Sequence, residues 1–188
     1  MLFSKLENVM RAHQIVLIKH DRSLNEPNHH KLQLLTEMLK SYLDGGVPLV
    51  ISSTTPHAIQ SAEFVAESFS VKLRKSKLLY DANQDHERLE KVFSMIRNLS
   101  HKHDANVIIL VTHHLCVTEF PVFVANKVFG SKLKRNFEVK PNEAVIVNLD
   151  EHHPSFLMMR PKKLDLHEYL KHHNYVVNLP FRRPNASS

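Results

Sequence analysis

The sequence of 188 residues contains little cysteine, little glycine and no long apolar run. Its single cysteine, Cys116, cannot form an internal disulfide, so nothing indicates an oxidising compartment and we expect a cytoplasmic protein. The three glycines, at positions 45, 46 and 130, cannot build the glycine-rich loops that bind dinucleotides or nucleotide phosphates. No run reaches the roughly 18 apolar residues of a membrane span, and residues 1–14 are too polar for the apolar region of a signal peptide. We therefore expect no membrane partner and no cofactor.

Positive charge and histidine are abundant instead. The formal net charge is +6, which favours anionic partners such as phosphates, nucleic acid or acidic surfaces without choosing among them. The 15 histidines include four adjacent pairs, at 29–30, 113–114, 152–153 and 172–173. Adjacent side chains diverge on a helix or a strand, so a pair forms no chelating face by itself. His167 and His172 are five residues apart, which is the wrong spacing for a zinc-protease helix. We expect no metal site.

Apolar runs and helical spacing alternate along the chain. The runs typical of buried strands are 14–19, 47–52 and 107–111. Apolar residues at helical spacing occupy 30–43, 56–69 and 86–101, and Pro56 suits a first helical turn. This alternation predicts a three-layer α/β/α sandwich around a mostly parallel sheet. Two later strands, 144–149 and 156–160, form a predicted hairpin whose pairing with the other strands the sequence leaves open.

We expect one domain over residues 1–160, because the chain is long enough for a single substantial core and short for two. Residues 161–188 form a C-terminal extension that packs on the domain or trails from it. A short helix is predicted there at 164–172, with disorder at the very end.

Polar side chains follow each of the three predicted central strands. They are Lys19-His20-Asp21-Arg22-Ser23, Ser52-Ser53-Thr54-Thr55-Pro56-His57 and Thr112-His113-His114. If the strands are adjacent and parallel, the three clusters lie along one edge of the sheet, where open α/β folds bind ligands. The cationic groups, the hydroxyls and the N-terminus of the helix beginning near Pro56 all favour an anion, and phosphate fits best.

These three blocks resemble the signatures of the histidine phosphatase superfamily, the phosphoglycerate-mutase-like group. Its first strand ends in Arg-His-Gly, where this chain has Lys19-His20-Asp21. Its second signature, Ser-Ser-Pro-x-x-Arg-Ala-x-Gln-Thr-Ala, is similar to the segment 52–62, with His57 at the arginine. Its third, Thr-His-Gly, appears as Thr112-His113-His114. The match spans about 14–130, and the compact segment 77–81 looks most like that of small bacterial phosphohistidine phosphatases.

The resemblance implies a metal-independent phosphatase. In it His20 is the nucleophile, His113 is the second histidine of the pocket, and Lys19 and His57 occupy the two arginine positions. Asp81 falls near the position of an acid in the mutase-like members, and Asp85 and Glu87 are the alternatives for that role. Further phosphate ligands would be Arg22, Ser23, Asn25 and His114. Elementary chemistry supports the role of His20 apart from the resemblance, because a neutral imidazole can attack phosphorus and form a phosphohistidine that water hydrolyses.

The departures from the pattern weaken the phosphate clamp. Lys19 is a point charge where a bidentate guanidinium is expected, His57 is a shorter donor, and Asp21 adds negative charge. Removing one preorganised donor commonly costs about a hundredfold to a thousandfold in rate. Two readings therefore stay open: a phosphatase acting through phospho-His20, and a catalytically degenerate relative that binds a phospholigand or a protein.

The expected partner is a phosphorylated small molecule, either phosphohistidine or a small phosphoester, or a phosphoprotein. Nucleic acid is not the expected partner, because only the net charge favours it. Nothing in the sequence predicts an oligomeric state.

Overall fold

The computed structural model describes residues 12–22, 26–43, 46–80, 86–130, 138–149, 155–161 and 176–178. The strands are β1 (Gln14–Lys19), β2 (Leu49–Ser52), β3 (Leu73–Lys75), β4 (Val107–Thr112), β5 (Ala144–Asn148), β6 (Ser155–Met159) and β7 (Val176–Asn178). The helices are α1 (Glu26–Tyr42), α2 (Pro56–Ser68), α3 (His86–His103) and α4 (His114–Phe129), with a 3₁₀ turn at Lys77–Leu79.

The strands form one seven-stranded sheet in the order β3-β2-β4-β1-β5-β6-β7. Strands β3, β2, β4 and β1 pair in parallel, whereas β5, β6 and β7 each pair antiparallel to the strand before them in that order. Five of the seven strands consequently point the same way. Parallel neighbours need crossover connections. Helix α2 connects β2 to β3, and helix α3 connects β3 to β4. The predicted hairpin is confirmed as β5 and β6, and its pairing partner is β1.

Helices cover both faces of the sheet. On one face Leu35 of α1 packs with Ile109 of β4, in a core that also includes residues of α2. On the other face Phe120 of α4 packs with Ile108, in a core shared with α3. Neighbouring residues of β4 thus enter opposite cores, as alternation along a strand requires. The predicted three-layer α/β/α fold is confirmed.

Several boundaries differ from the sequence-based prediction. The second strand begins at Leu49 rather than at position 47. Val47 is 74% exposed and lies outside the sheet. Helix α1 begins at Glu26 rather than His30, since a proline at 27 is tolerated in a first turn, where its missing N–H is not needed. The edge strands β3 and β7 have three residues each and were not predicted.

Helix α4 was also not predicted. It contains Pro121 in its interior, and its many buried residues leave little of the polar face that helical periodicity depends on. It ends at Gly130, whose φ of +63° suits a residue without a side chain. Cys116 is a fully buried residue of this helix.

The C-terminal extension lies almost wholly outside the described residues, including the predicted helix at 164–172. Its segment Val176–Asn178 forms β7 and pairs with β6. The boundary between domain and extension stays a prediction. Within the described parts of the chain, no helix is both long and apolar enough to cross a membrane.

Candidate active site

The ladder of the parallel strands brings the three polar clusters to one edge of the sheet. Lys19 at the end of β1 lies opposite Thr112 at the end of β4, and Ser52 at the end of β2 lies opposite Val111. Beyond these pairs, the His20 amide donates to the Thr112 carbonyl and the Ser53 amide donates to the Val111 carbonyl, at 3.1 and 2.9 Å. The backbones at the three strand ends are therefore in direct register.

His20 and His113 are in direct contact at this edge. Their rings meet edge to face, with centroids 4.6 Å apart and planes at 86°. The Nε2 atom of His20 lies 2.9 Å from Nδ1 of His113, which is a hydrogen-bonding distance. Two residues separated by 93 positions are thus in contact at the edge of the sheet where the sequence analysis expected both to lie.

The partners of the two rings define their tautomers. Nδ1 of His20 lies 2.9 Å from the carbonyl oxygen of Asp21, and a carbonyl oxygen only accepts, so Nδ1 carries a proton. In the neutral ring the lone pair is then on Nε2, and it accepts from the Nδ1–H of His113. Nε2 of His113 in turn accepts from the Ser53 hydroxyl at 2.8 Å. These three hydrogen bonds place the lone pair of His20 on Nε2, facing His113.

Ser53 is a residue of this site that the sequence analysis did not single out. Its side chain is fully buried, and the Thr55 hydroxyl lies 3.5 Å from the same His113 nitrogen. The neighbouring Ser52 hydroxyl donates instead to the Ser53 carbonyl at 2.7 Å. The two adjacent serines at the end of β2 indicated that a hydroxyl would lie at this edge of the sheet. The sequence does not show which of the two hydroxyls faces His113.

Burial lowers the pKa of the His20 imidazole below its ordinary value of 6.5. The hydrogen bond to the Asp21 carbonyl opposes this shift, while the nearby His57 and Arg22 reinforce it electrostatically. The net effect favours the neutral ring around pH 7. A neutral imidazole, whose unprotonated nitrogen keeps a lone pair, is the form that can act as a nucleophile.

We expect the chemical shift of the His20 Cε1–H to follow a titration with a midpoint below 6.5. Folding favours the uncharged ring, so a ring nitrogen of His20 binds a proton more readily in the unfolded chain. The stability that the neutral ring contributes is therefore lost as pH falls from about 6.5 through the folded-state pKa. An NMR titration would measure the midpoint, with the resonance assigned by its absence in His20→Gln. The urea-unfolded chain serves as the reference, and an equal or higher midpoint in the folded protein would contradict the expectation.

Lys19 reaches the segment before β5 rather than the two histidines. Its Nζ donates to the Val139 carbonyl at 2.8 Å and lies 3.5 Å from Nδ1 of His114. The Lys19 carbonyl accepts from the Asn142 amide at 2.8 Å. The ammonium group is therefore held beside the pocket by the chain that connects α4 to the antiparallel strands.

That connecting segment is fixed by a buried carboxylate. Glu143 is 5% exposed, and its carboxylate oxygens lie 3.8 Å from Lys31 Nζ and 3.5 Å from Arg160 Nε and accept from the Lys140 amide at 2.9 Å. Lys31 also donates to the Pro141 carbonyl at 2.8 Å.

The remaining predicted cations lie at the outer rim. His57 is exposed on the first turn of α2, and Arg22 is exposed just after β1, both close enough to His20 to lower its pKa. Two helix N-termini also point to this edge, because α2 begins at Pro56 and α4 begins at His114. Ser23, Asn25 and Asp81 lie outside the described residues. Among the residues that are described, no group of three or more His, Cys, Asp or Glu is arranged to hold a metal ion.

No protein-family model matches this sequence, and no curated protein is detectably similar to it in sequence. Solved structures do resemble it. An alpha-ribazole phosphatase from Shigella flexneri superposes with a TM-score of 0.55 at 13% identity, covering 79% of this chain and 96% of that one. A phosphoglycerate mutase from Bacillus anthracis gives 0.52 at 13%, covering 82% and 95%.

A protein proposed to be the phosphohistidine phosphatase SixA of Agrobacterium tumefaciens gives a TM-score of 0.52 at 13% identity, covering 79% of this chain and 98% of that one. The chain has the histidine-phosphatase fold. The resemblance expected from the three motif blocks is thereby confirmed at the level of the fold. Because the histidine-phosphatase fold alone does not establish an activity, function is argued from the site.

Proposed function

We propose that the protein hydrolyses a phosphorylated substrate through a phosphohistidine formed on Nε2 of His20. The observation that carries the proposal is the His20–His113 contact: a half-buried imidazole whose lone pair is directed at an N–H donor 2.9 Å away. A phosphoryl group entering between these atoms meets a nucleophile and a hydrogen-bond donor at once.

The reaction has two displacements at phosphorus. In the first, the Nε2 lone pair forms a bond to phosphorus while the bond to the leaving oxygen or nitrogen breaks. The leaving atom takes the electron pair and a proton, which comes from solvent for phosphohistidine and from the proposed acid Asp81 for an alkyl ester. In the second, water attacks phosphorus, the N–P electrons return to Nε2, and inorganic phosphate departs. The Asp21 carbonyl, bound to Nδ1–H at 2.9 Å, stabilises the ring when Nε2 is phosphorylated, because Nδ1 then keeps its proton.

Stabilisation of the phosphoryl oxygens falls to the donors around the two rings. The Nδ1–H of His113, oriented by Ser53, turns from His20 to a phosphoryl oxygen. The first-turn amides of α2 and α4 offer further donors with favourable dipoles. Lys19, Arg22, His57 and His114 supply cationic or donor groups at greater distance, and Ser23 and Asn25 are proposed as further ligands.

Phosphohistidine or a small phosphoester, free or on a phosphoprotein, is the proposed substrate. The solved structures that resemble this chain include an alpha-ribazole phosphatase and a proposed phosphohistidine phosphatase, which supports a phosphatase activity. Phosphohistidine has a good leaving group and needs no general acid, whereas an alkyl ester needs one, and Asp81 is the proposed donor.

The proposal is tested by trapping the intermediate. We expect ³²P-labelled phosphoimidazole to leave acid-labile, base-stable label on the protein after rapid alkaline quenching, mapped to His20 by mass spectrometry. His20→Ala should carry no label, while His101→Ala, an exposed histidine far along α3, should be labelled like the wild type. Label on another residue, or equal label in His20→Ala, would exclude the mechanism.

A second candidate is a phospholigand-binding module without turnover. The hydrogen bond from Lys19 to the Val139 carbonyl favours it, because an ammonium already engaged is a poorer clamp for transition-state charge. This candidate predicts saturable binding of phosphoimidazole without any labelled intermediate. Binding that produces phospho-His20 and free phosphate would exclude it.

A further inference from the structure

An aromatic side chain stands open beside the proposed catalytic pair. Tyr80 is 46% exposed, and its ring meets the His113 ring edge to face, with centroids 5.6 Å apart and planes at 82°. Among the residues that the structure describes, Tyr80 and Val47 are the two large apolar side chains that are markedly exposed. An aromatic ring left open to solvent next to a ligand pocket has apolar surface that a ligand can cover.

The backbone that carries Tyr80 is tightly held. The buried hydroxyl of Thr112, at the end of β4, donates to the Leu79 carbonyl at 2.7 Å. Arg88 of α3 donates to the Leu78 carbonyl at 3.0 Å and to the Lys77 carbonyl at 2.7 Å. The side chain of Leu79 is fully buried in the core. Tyr80 therefore projects from a fixed 3₁₀ turn.

The same threonine links this turn to the proposed chemistry. Thr112 immediately precedes His113, and its carbonyl accepts from the His20 amide at 3.1 Å. Its side chain holds the Tyr80 turn while its backbone holds the two histidines. Hydrogen bonds to one residue thus fix the backbone of the Tyr80 turn relative to the backbone of His20. Such preorganisation is what allows a side chain to select a ligand at low entropic cost.

We propose that Tyr80 is the specificity-determining residue of this site and selects substrates whose phosphoryl group is attached to a planar ring. The inference rests on the proposed function, because it assumes that the phosphoryl group lies between His20 and His113. The Tyr80 ring is 5.6 Å from the ring of His113, so it is the aromatic neighbour for a ring carried by a phosphoryl group that His113 binds. An aryl ester and a phosphorylated imidazole share this chemistry.

Binding of non-hydrolysable phosphonates tests the selection without requiring turnover. By calorimetry we expect wild type to bind phenylphosphonate about two- to tenfold more tightly than propylphosphonate. Tyr80→Phe should keep this ratio, because it keeps the ring. Tyr80→Ala should lose the ratio while binding propylphosphonate as wild type does. A ratio that survives in Tyr80→Ala, or is near one in wild type, would overturn the proposal.

Hydrolysis of phenyl phosphate and of phosphoimidazole, measured in parallel, separates the two ring sources and the two proposals. A Tyr80-dependent gain in kcat/KM for either ring supports the inference and identifies the leaving group. Ring selectivity in phosphonate binding without any turnover would uphold the role of Tyr80 and contradict catalysis. Turnover that is the same in wild type and Tyr80→Ala for both rings would uphold catalysis and contradict the role of Tyr80.

Discussion

Replacing His20 by alanine is expected to lower kcat/KM for hydrolysis of phosphoimidazole and 4-nitrophenyl phosphate by about 10⁴-fold or more. Loss of a covalent nucleophile removes the whole two-step route, and losses of roughly this size or larger are typical of such variants. The Nε2 atom contacts His113 at 2.9 Å, so the substitution also removes the acceptor of the His113 proton. Steady-state rates at substrate concentrations below KM measure the effect.

Two comparisons make the His20 result interpretable. His20→Gln keeps a side-chain amide near the position of the ring and should be as inactive as the alanine variant, because an amide nitrogen has no available lone pair. His101→Ala removes an exposed histidine on α3 and should retain wild-type rates. Retention of more than a tenth of the wild-type kcat/KM by both His20 variants, with unchanged circular dichroism, would show that hydrolysis occurs elsewhere.

Replacing His57 by arginine is expected to raise kcat/KM by roughly tenfold to a hundredfold. His57 lies on the first turn of α2, exposed and close enough to His20 to lower its pKa. A guanidinium at this position adds a permanent charge and a planar pair of donors, and one preorganised donor is commonly worth about a hundredfold or more. It also favours the neutral form of His20 further, because a positive neighbour disfavours imidazolium.

The matched control is His101→Arg, which adds the same group near the C-terminal end of α3. It should leave kcat/KM unchanged, since exposed charges beyond about 10 Å are largely screened at ordinary ionic strength. If His57→Arg also has no effect, or lowers the rate, the weakened clamp is not what limits the reaction. That outcome would favour the binding-module alternative, in which no improvement of the clamp produces turnover.

The fold and the central pair were predictable because their signals are local. The apolar runs ending at Lys19 and Thr112 and the intervening helical periodicity determine parallel strands, and parallel strands end along one edge. His20 and His113 follow directly after those runs. Their meeting in one pocket depends on strand order, which crossover rules restrict to few arrangements.

The rest of the site depends on side-chain directions that no run or spacing encodes. Strand β2 ends at Ser52, and the hydroxyl that faces His113 belongs to the next residue, Ser53. The acceptor of Lys19 lies 120 residues further along the chain, at Val139. Tyr80 looks like an ordinary loop residue until the bond between Thr112 and Leu79 places it beside the histidines.

Because Lys19 donates to the Val139 carbonyl, the edge of the sheet that carries His20 and His113 depends on both the parallel and the antiparallel strands. All three motif blocks precede Gly130, yet the group that orients Lys19 belongs to the segment entering β5, and the buried charge of Glu143 anchors that segment to α1 and to the end of β6. A fragment that ended at Gly130 would contain both imidazoles and still lack the Val139 carbonyl that holds Lys19 beside them. Substitutions in the antiparallel half can therefore change the position of the Lys19 ammonium group without altering any residue of the three motif blocks.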